Sequence, residues 1–337
     1  MHSGSPMTRA TKLSGVALTV FLFCAATGAF IRPQLARHFA HHVLRWRPDR
    51  IRPALGNERA TRLPNVTFWA WERPEDLRYL NQPNEGVAFL AKTVYLQPSH
   101  NNSSEFQPQS VLVRPRLQPL RIAPGTFLIA VVRIETSHAL LPSAFFKSTG
   151  SEQQSPRSES DNHQPSFSFD VLASVALQRA AAEISDLQNI PNVRAIQIDF
   201  DAAVSERPFY SALLSAVRRN LLPSMPLSIT ALASWCIGDS WLENLPPGTI
   251  DEAIPMLFRL GPNAADVINF LHSGKEFPVA PCRGSLGLSI DERLSNDLLT
   301  GRFPGSSRAW RRKRIYVFSP RVQTQSAVSA ILEEWHP

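Results

Sequence analysis

The segment Val193–Asp201, VRAIQIDFD, begins as an apolar run and ends in two aspartates that are separated by one residue. Side chains of a β-strand alternate between its two faces, so Gln197, Asp199 and Asp201 share one face and the intervening apolar residues share the other. The following segment, RPFYSALLSAVRRNLL, has apolar residues at helical spacing. The pattern predicts a strand–helix unit whose strand is buried along its body and polar where it ends.

Seven further runs resemble this one, and most of them alternate with helical segments. The eight predicted strands are residues 65–71, 86–96, 126–135, 193–201, 226–235, 251–260, 284–290 and 314–319. Near-continuous apolar runs are typical of parallel strands that are buried on both faces. Eight repeats over roughly 270 residues match the size of a TIM-type barrel, whereas a doubly wound open sheet usually has fewer strands and a Gly-rich first turn. We therefore predict an α/β fold, a (β/α)8 TIM-type barrel.

Two connections depart from the strand–helix rhythm. Residues 97–125 contain five prolines, which predicts an irregular, non-helical crossover in place of one outer helix, with VLVRPRL as an additional edge strand. Residues 136–168 contain the polar stretch SEQQSPRSESDNHQPS, and we predict a disordered insertion at 146–168. The segment RPEDLRYL after the first run has helical spacing.

The N-terminal region predicts export. Residues 13–30 are apolar or small and follow two basic residues, as in a signal peptide or an uncleaved N-terminal membrane anchor at residues 1–30. Residues 31–63 form an Arg-rich linker next to the membrane, and residues 64–337 form the barrel domain. The expected location is periplasmic or secreted. The net charge of +7 and pI of about 9.8 come without any nucleic-acid-binding signature, so no nucleic-acid partner is predicted.

The cysteine count also bears on the prediction of export. Cys24 lies inside the apolar export segment, which leaves Cys236 and Cys282 in the barrel. Two cysteines in an oxidising compartment predict one disulfide, and the alternative is two separate buried thiols.

The residues at the strand ends form the candidate site, because the active site of a β/α barrel lies where its strands end. The candidate catalytic residues are Asp199, Asp201, Glu72 and Glu135. The candidate substrate-binding residues are Trp71, Lys92, Arg133, Trp235, Arg259 and Asp291. Two carboxylates spaced i, i+2 stand about 6–7 Å apart at the backbone. One pKa of such a pair should rise, which suits general acid/base chemistry on a glycosidic bond.

A structural role competes with this interpretation. The aspartates can cap loop N–H groups or pair with Arg133 and Arg259, and Trp71 and Trp235 can be core residues. Lys92 and Arg133 lie inside apolar runs and require partners, for which the acids are the obvious choice. The chain has no G-x-S-x-G, H-E-x-x-H or P-loop motif, and no histidine ends a predicted strand. No cofactor and no metal site are predicted.

Several of these motifs also carry a resemblance. IQIDFDA, FYSALLSAVRRNLLPSMPLSITALASW and IDEAIPMLFRLG resemble an uncharacterised family of exported bacterial proteins over residues 65–332. The acidic strand is more distantly similar to the fourth strand of family 18 chitinase-type barrels. Asp199 and Asp201 match the two aspartates of that pattern, and the catalytic Glu falls at Ala203. The proton donor of a glycosidase would then be Asp201 itself, Glu72 or Glu135.

Two functions remain open from the sequence. The first is a glycoside hydrolase-like protein that acts on an extracytoplasmic glycan by carboxylate acid/base chemistry, which acids from several strand ends favour. The second is a non-catalytic barrel that binds a carbohydrate or a protein partner at the cell envelope, which Ala203 favours. A carbohydrate ligand is expected in the first case, and the N-terminal segment is the expected contact with the membrane in both.

Overall fold

The computed structural model describes residues 55–98, 106–136, 169–303, 310 and 312–335. The predicted export segment, residues 31–54 of the predicted basic linker and the predicted insertion at 146–168 lie outside the described residues. Every described residue belongs to one compact unit, Ala54–Pro337. Within the described ranges, no helix is long and apolar enough to cross a membrane.

The bounds of the strands and helices are as follows. The strands are β1 (Val66–Ala70), β2 (Glu75–Leu77), β3 (Glu85–Pro98), β4 (Pro108–Pro115), β5 (Leu120–Ile122), β6 (Phe127–Glu135), β7 (Val193–Asp199), β8 (Leu227–Leu232), β9 (Glu252–Met256), β10 (Ser285–Ser289) and β11 (Arg314–Phe318). The helices are α1 (Leu55–Ala60), α2 (Phe169–Ser185), α3 (Arg207–Asn220), α4 (Ala233–Ile237), α5 (Ala264–His272), α6 (Arg293–Leu299) and α7 (Gln325–Glu334).

Eight parallel strands close into a barrel. Their order around the barrel is β1, β3, β6, β7, β8, β9, β10 and β11, and β1 pairs with both β3 and β11. Helices α2 to α7 follow the last six of these strands. The predicted (β/α)8 TIM-type barrel is confirmed, and closure through β1 rules out the open sheet.

The outer layer forms because each helix has one apolar face. In α3, Pro208 lies in the first turn, where its missing N–H costs nothing. Leu213, Leu214 and Val217 are fully buried at i, i+1 and i+4, the spacing that covers one helix face. Each such side chain contributes roughly 1.5–3 kcal/mol by burial.

In its described residues, the connection from β3 to β6 is the non-helical crossover that the prolines predicted. Its described part holds β4, which pairs antiparallel with the second half of β3, and β5. The helix predicted for RPEDLRYL is wrong, because part of it forms β2, which pairs in parallel with β5. Leu77 is fully buried there, and the buried Glu75 accepts hydrogen bonds from Arg73 and from the N–H of Gln323. These tertiary contacts override the helical spacing.

Cys236 and Cys282 form a disulfide, with their Cα atoms 5.8 Å apart. The bond joins α4 to the short 3-10 helix before β10, and both cysteines are fully buried. It is therefore the pairing that the sequence predicted, not two separate thiols.

Reduction of this disulfide is expected to destabilise the barrel. The bond closes a loop of 46 residues, which in the chain-entropy description corresponds to about 4 kcal/mol of unfolding free energy. Urea denaturation of the protein with and without reductant measures the difference. In the double variant Cys236→Ala/Cys282→Ala, the reductant should change nothing. An equal effect of reductant on the variant would contradict the assignment.

Candidate functional site

Inward side chains close the barrel beneath its mouth. Trp69 Nε1 donates a hydrogen bond to Gln197 Oε1 at 2.9 Å, and Gln197 Nε2 donates to Ser228 Oγ at 3.3 Å. These three residues are buried and come from β1, β7 and β8. Two positions further along their strands, alternation places Trp71 and Asp199 one layer higher, at the mouth.

A cavity of about 420 Å³ opens at this end of the barrel. Every barrel strand except β3 contributes to its wall, at or just beyond its C-terminal end. The lining residues are Trp71, Arg73, Arg133, Asp199, Asp201, Leu232, Ala233, Ser234, Met256, Phe258, Arg259, Leu260, Val267, Ser289, Phe318, Ser319 and Pro320. The volume lies within the range of small-molecule sites, about 300–1,000 Å³.

Asp199 ends β7 and is half-buried in the cavity wall. Its Oδ1 accepts a hydrogen bond from Thr230 Oγ1 at 2.8 Å. Burial raises the pKa of Asp199 to about 6, and the charges of Asp201 and Glu135 add to this effect. The hydrogen bond from Thr230 and the charge of Arg133 act in the opposite direction. The result is a carboxyl group that changes its protonation state near pH 6.

Asp201 belongs to the exposed loop after β7, and its carboxyl group lines the same cavity. Desolvation in the cavity wall raises the pKa of Asp201, and the positive charge of Arg133 acts in the opposite direction. Within the described part of the chain, Asp201 makes no hydrogen bond or ion pair. Among the described residues its oxygens therefore have no hydrogen-bonding partner, whereas one oxygen of Asp199 accepts a hydrogen bond from Thr230.

Arg133, at the end of β6, lies between an acid and an aromatic ring. Its Nε is 2.5 Å from Glu135 Oε1, and its Cζ lies 5.1 Å from the centroid of the Trp71 ring. A guanidinium over an indole face is an attractive cation–π contact. These contacts hold Arg133 beside the aspartate pair, where it favours the ionised form of both carboxyls.

Aromatic rings build part of the wall. Trp71 stacks on Trp69 with ring centroids 5.4 Å apart, and Trp69 lies 4.6 Å from Phe318. Phe258 in turn lies 4.7 Å from Phe318. Three of these rings, those of Trp71, Phe258 and Phe318, line the cavity. They offer an apolar surface in the same cavity as the carboxyl groups.

The other predicted acids lie close to the mouth but outside the cavity wall. Glu72 receives two hydrogen bonds from Arg114, at 3.1 and 2.7 Å, and Glu135 is paired with Arg133. Asp291 accepts a hydrogen bond from Ser289 Oγ. Each of these carboxylates is engaged with a protein donor. Among the acids of the described residues, Asp199 and Asp201 are the two that line the cavity.

Lys92 is turned away from the mouth. Between Leu90 and Lys92 the pairing of β3 with β6 shifts by one residue, a β-bulge at Ala91. The bulge reverses which face Lys92 occupies, and its Nζ contacts Glu183 Oε2 of α2 at 3.0 Å, on the outside of the barrel. The structure therefore does not bring Lys92 to the candidate site.

Trp235 is also separate from the cavity, whereas Arg259 belongs to its wall. The fifth run was predicted to extend to Trp235, but β8 ends at Leu232 and α4 begins at the next residue. Trp235 consequently lies on a helical turn, is buried, and packs edge-on against Trp241 at 5.0 Å. It is a core residue at this position.

Sequence reasoning missed Thr230, Phe258, Phe318 and Arg73. For Thr230 a signal was present, because Ser228 and Thr230 alternate with apolar residues and mark the inward face of β8. Phe318 ends β11 and Phe258 lies two residues beyond β9. The sequence prediction selected charged and Trp residues at these positions and not phenylalanines. Among the described residues, no group of three or more His, Cys, Asp or Glu side chains could hold a metal ion.

Comparisons with known proteins identify no family for this chain. No family model matches the sequence, so the resemblance to an uncharacterised exported family has no such support. No curated protein matches either. The chain is distantly similar to the crystal structure of the Bacillus cereus spore cortex-lytic enzyme SleL. The two sequences are 10% identical, the TM-score is 0.42, and the match covers 81% of this chain and 75% of that one.

Proposed function

We propose that this barrel hydrolyses a glycosidic bond in an extracytoplasmic glycan, with Asp199 as the proton donor and Asp201 as the ionised carboxylate. The observation that carries the proposal is the carboxyl group of Asp199, which faces an open cavity with its pKa raised to about 6 beside a second carboxyl group. A carboxyl with a raised pKa can hold a proton at the pH of the reaction and release it to a leaving group.

In this mechanism Asp199 transfers its proton to the glycosidic oxygen as the bond to the sugar carbon breaks. Positive charge develops on the sugar ring, and the ionised Asp201 stabilises it while water adds to the same carbon. The water proton returns to the carboxylate pair, so the enzyme is regenerated. The hydrogen bond from Thr230 fixes the orientation of Asp199 throughout.

The aromatic wall supports a sugar substrate. The rings of Trp71, Phe258 and Phe318 line the cavity, and an apolar face of a pyranose can pack against such rings. Arg133 adds hydrogen-bond donors beside the aspartates. This combination of a flat apolar surface and a few convergent polar groups is typical of a small-ligand site.

Coupling between the two carboxyl groups can be tested without a substrate. Because the charge of Asp201 raises the pKa of Asp199, the variant Asp201→Asn should lower the pKa of Asp199 below about 6. Carbon-13 NMR of the aspartate carboxyl groups, titrated from pH 3 to pH 8, measures the midpoint. Asp76→Asn is the control, because Asp76 is exposed, pairs with Arg78 and does not line the cavity. An unchanged Asp199 midpoint in Asp201→Asn would mean that the two carboxyls do not act as a pair.

A binding protein without catalysis is the second candidate, and Ala203 favours it. The catalytic Glu of chitinase-type barrels has no counterpart at this position, where the Ala203 N–H instead donates to Glu206 Oε2 at 2.7 Å and caps a short helix. Glycan binding by the protein and by Asp199→Asn, with no reducing ends released by either, would support this candidate.

An extracytoplasmic location is part of the proposal. The disulfide between Cys236 and Cys282 supports it, because disulfides persist mainly in oxidising compartments. Anchoring through the N-terminal segment and the absence of a nucleic-acid partner stay predictions from the sequence.

A further inference from the structure

Three arginines line the cavity, and two of them are neutralised by their own glutamates. Arg73 Nε lies 2.6 Å from Glu75 Oε1, and Arg133 Nε lies 2.5 Å from Glu135 Oε1. The third, Arg259, is exposed, and across the described ranges its guanidinium forms no hydrogen bond or ion pair. Among the described residues, the Arg259 guanidinium is therefore the one of the three that faces the cavity without a bonded carboxylate.

The backbone of Arg259 is held in an unusual conformation. Its φ is 49°, in the left-handed region that a glycine or an asparagine adopts more readily. Its N–H donates a hydrogen bond to Glu292 Oε1 at 3.1 Å, which secures this turn. A non-glycine residue is strained in this region, so backbone preference does not favour an arginine here. Arg259 lines the cavity, as do its neighbours Phe258 and Leu260.

The position of Arg259 relates it to the aspartate pair. Arg259 follows β9, which lies two strands around the barrel from β7, where Asp199 and Asp201 lie. Adjacent strands are about 4.8 Å apart, so the axes of β7 and β9 are separated by about 10 Å along the wall. That length is comparable with a disaccharide unit. A glycan that binds at the aspartates and runs along the wall past β9 would therefore extend towards Arg259.

We propose that the glycan is acidic, with carboxylate-bearing sugars, and that Arg259 binds one of these carboxylates. This inference rests on the proposed function for its placement of the glycan in the cavity. A guanidinium binds a carboxylate through two parallel hydrogen bonds, which neither a neutral hydroxyl nor an amide can match. The aromatic rings then contact the sugar faces, while Arg259 selects for charge.

The test measures binding in the Asp199→Asn variant, which is expected to hold glycans without cleaving them. The probes are polygalacturonate, alginate and glucuronan, each compared with its carboxyl-reduced form, which keeps the chain and removes the charge. Calorimetry at low salt should give at least tenfold tighter binding of one or more acidic polymers, since a charged hydrogen bond contributes about 1.5–3 kcal/mol.

Two substitutions assign that preference to one side chain. Adding Arg259→Gln should remove the difference between the acidic and reduced polymers, and Arg259→Lys should restore part of it. Arg293→Gln is the matched control, because Arg293 is exposed outside the cavity and its loss should leave the preference intact. Equal binding of both polymer forms, an unchanged preference in Arg259→Gln, or no binding of any acidic polymer would each overturn the inference.

Failure of the inference and failure of the proposed function give different results. Arg259-dependent binding of an acidic polymer that the unsubstituted protein never cleaves would keep the inference and reject hydrolysis. Cleavage of a neutral glycan, with no effect of Arg259→Gln, would keep hydrolysis and reject the inference.

Discussion

Replacing Asp199 with asparagine is expected to lower glycan hydrolysis by about 10²–10⁴-fold, the usual contribution of general acid catalysis. Asparagine keeps the shape of the side chain and can still accept the hydrogen bond from Thr230, but it has no proton to donate to the leaving group. Initial rates of reducing-end release measure the loss. A rate within a few-fold of that of the unsubstituted protein would remove Asp199 from the mechanism.

The same substitution is expected to stabilise the protein at neutral pH. The pKa of Asp199 is raised from 3.8 to about 6 in the folded state, so the folded state binds this proton more tightly than the unfolded chain does. Ionisation therefore costs stability as the pH rises from about 4 through 6, and the full cost persists above. Asp199→Asn removes it, with an expected gain of about 1–3 kcal/mol at pH 8 that disappears near pH 4.

Asp76→Asn is the control for this stability change, because the pKa of Asp76 is shifted in the opposite direction. The Arg78 guanidinium lowers the pKa of the exposed Asp76 to about 2, so Asp76→Asn should not gain stability at pH 8. Urea denaturation of both variants at pH 4 and pH 8 tests the contrast. A loss of stability in Asp199→Asn at pH 8 would indicate that Asp199 is part of the scaffold, because a catalytic acid in a desolvated position costs stability.

Removal of Glu252 is expected to be the most destabilising substitution inside the barrel. Glu252 is fully buried at the end opposite the mouth. Its Oε1 accepts from Arg314 Nη2 at 2.5 Å and Nε at 3.0 Å, and its Oε2 accepts from the hydroxyl of Tyr316 at 2.8 Å. Glu252→Ala leaves the guanidinium largely buried without a counter-charge, which typically costs about 3–5 kcal/mol.

Glu183→Ala is the matched control for Glu252→Ala. Glu183 also forms one ion pair, with Lys92 at 3.0 Å, but on the outside of the barrel and with its side chain one-third exposed. Ion pairs at the surface contribute about 0–1 kcal/mol. Chemical denaturation should therefore separate the two variants by several kcal/mol, and similar losses would contradict the assigned difference in burial.

The fold could be predicted because its signal is repeated along the chain. Eight apolar runs, buried on both faces, require helices or loops that cover them, and their number and order select the closed barrel. The disulfide between Cys236 and Cys282 was predictable for a different reason, since only two cysteines lie outside the predicted export segment. The short strand β2 was not, because Glu75 and Leu77 adopt it through contacts with residues distant in sequence.

The candidate site was partly predictable because side chains alternate between the two faces of a strand. Alternation carries Gln197 and Asp199 to the inside of β7, where the pairing with β6 is regular from Ala195 to Asp199. The same rule fails for Lys92, because the bulge at Ala91 shifts the phase of β3 and no sequence signal marks it. It fails for Trp235 because β8 ends three residues earlier than its apolar run. Prediction of the site is thus limited because the sequence does not show where a bulge changes the face of a side chain or where a strand ends.

Release of reducing ends as a function of pH tests the central claim most directly. The protein and Asp199→Asn are incubated between pH 4 and pH 8 with chitin, peptidoglycan, a neutral β-glucan and the three uronate polymers. We expect the unsubstituted protein to release reducing ends from at least one glycan. This release should decline as the pH rises through about 6, where Asp199 loses its proton. The variant should release almost none. Equal release by both proteins, or binding without release by either, would contradict the central claim.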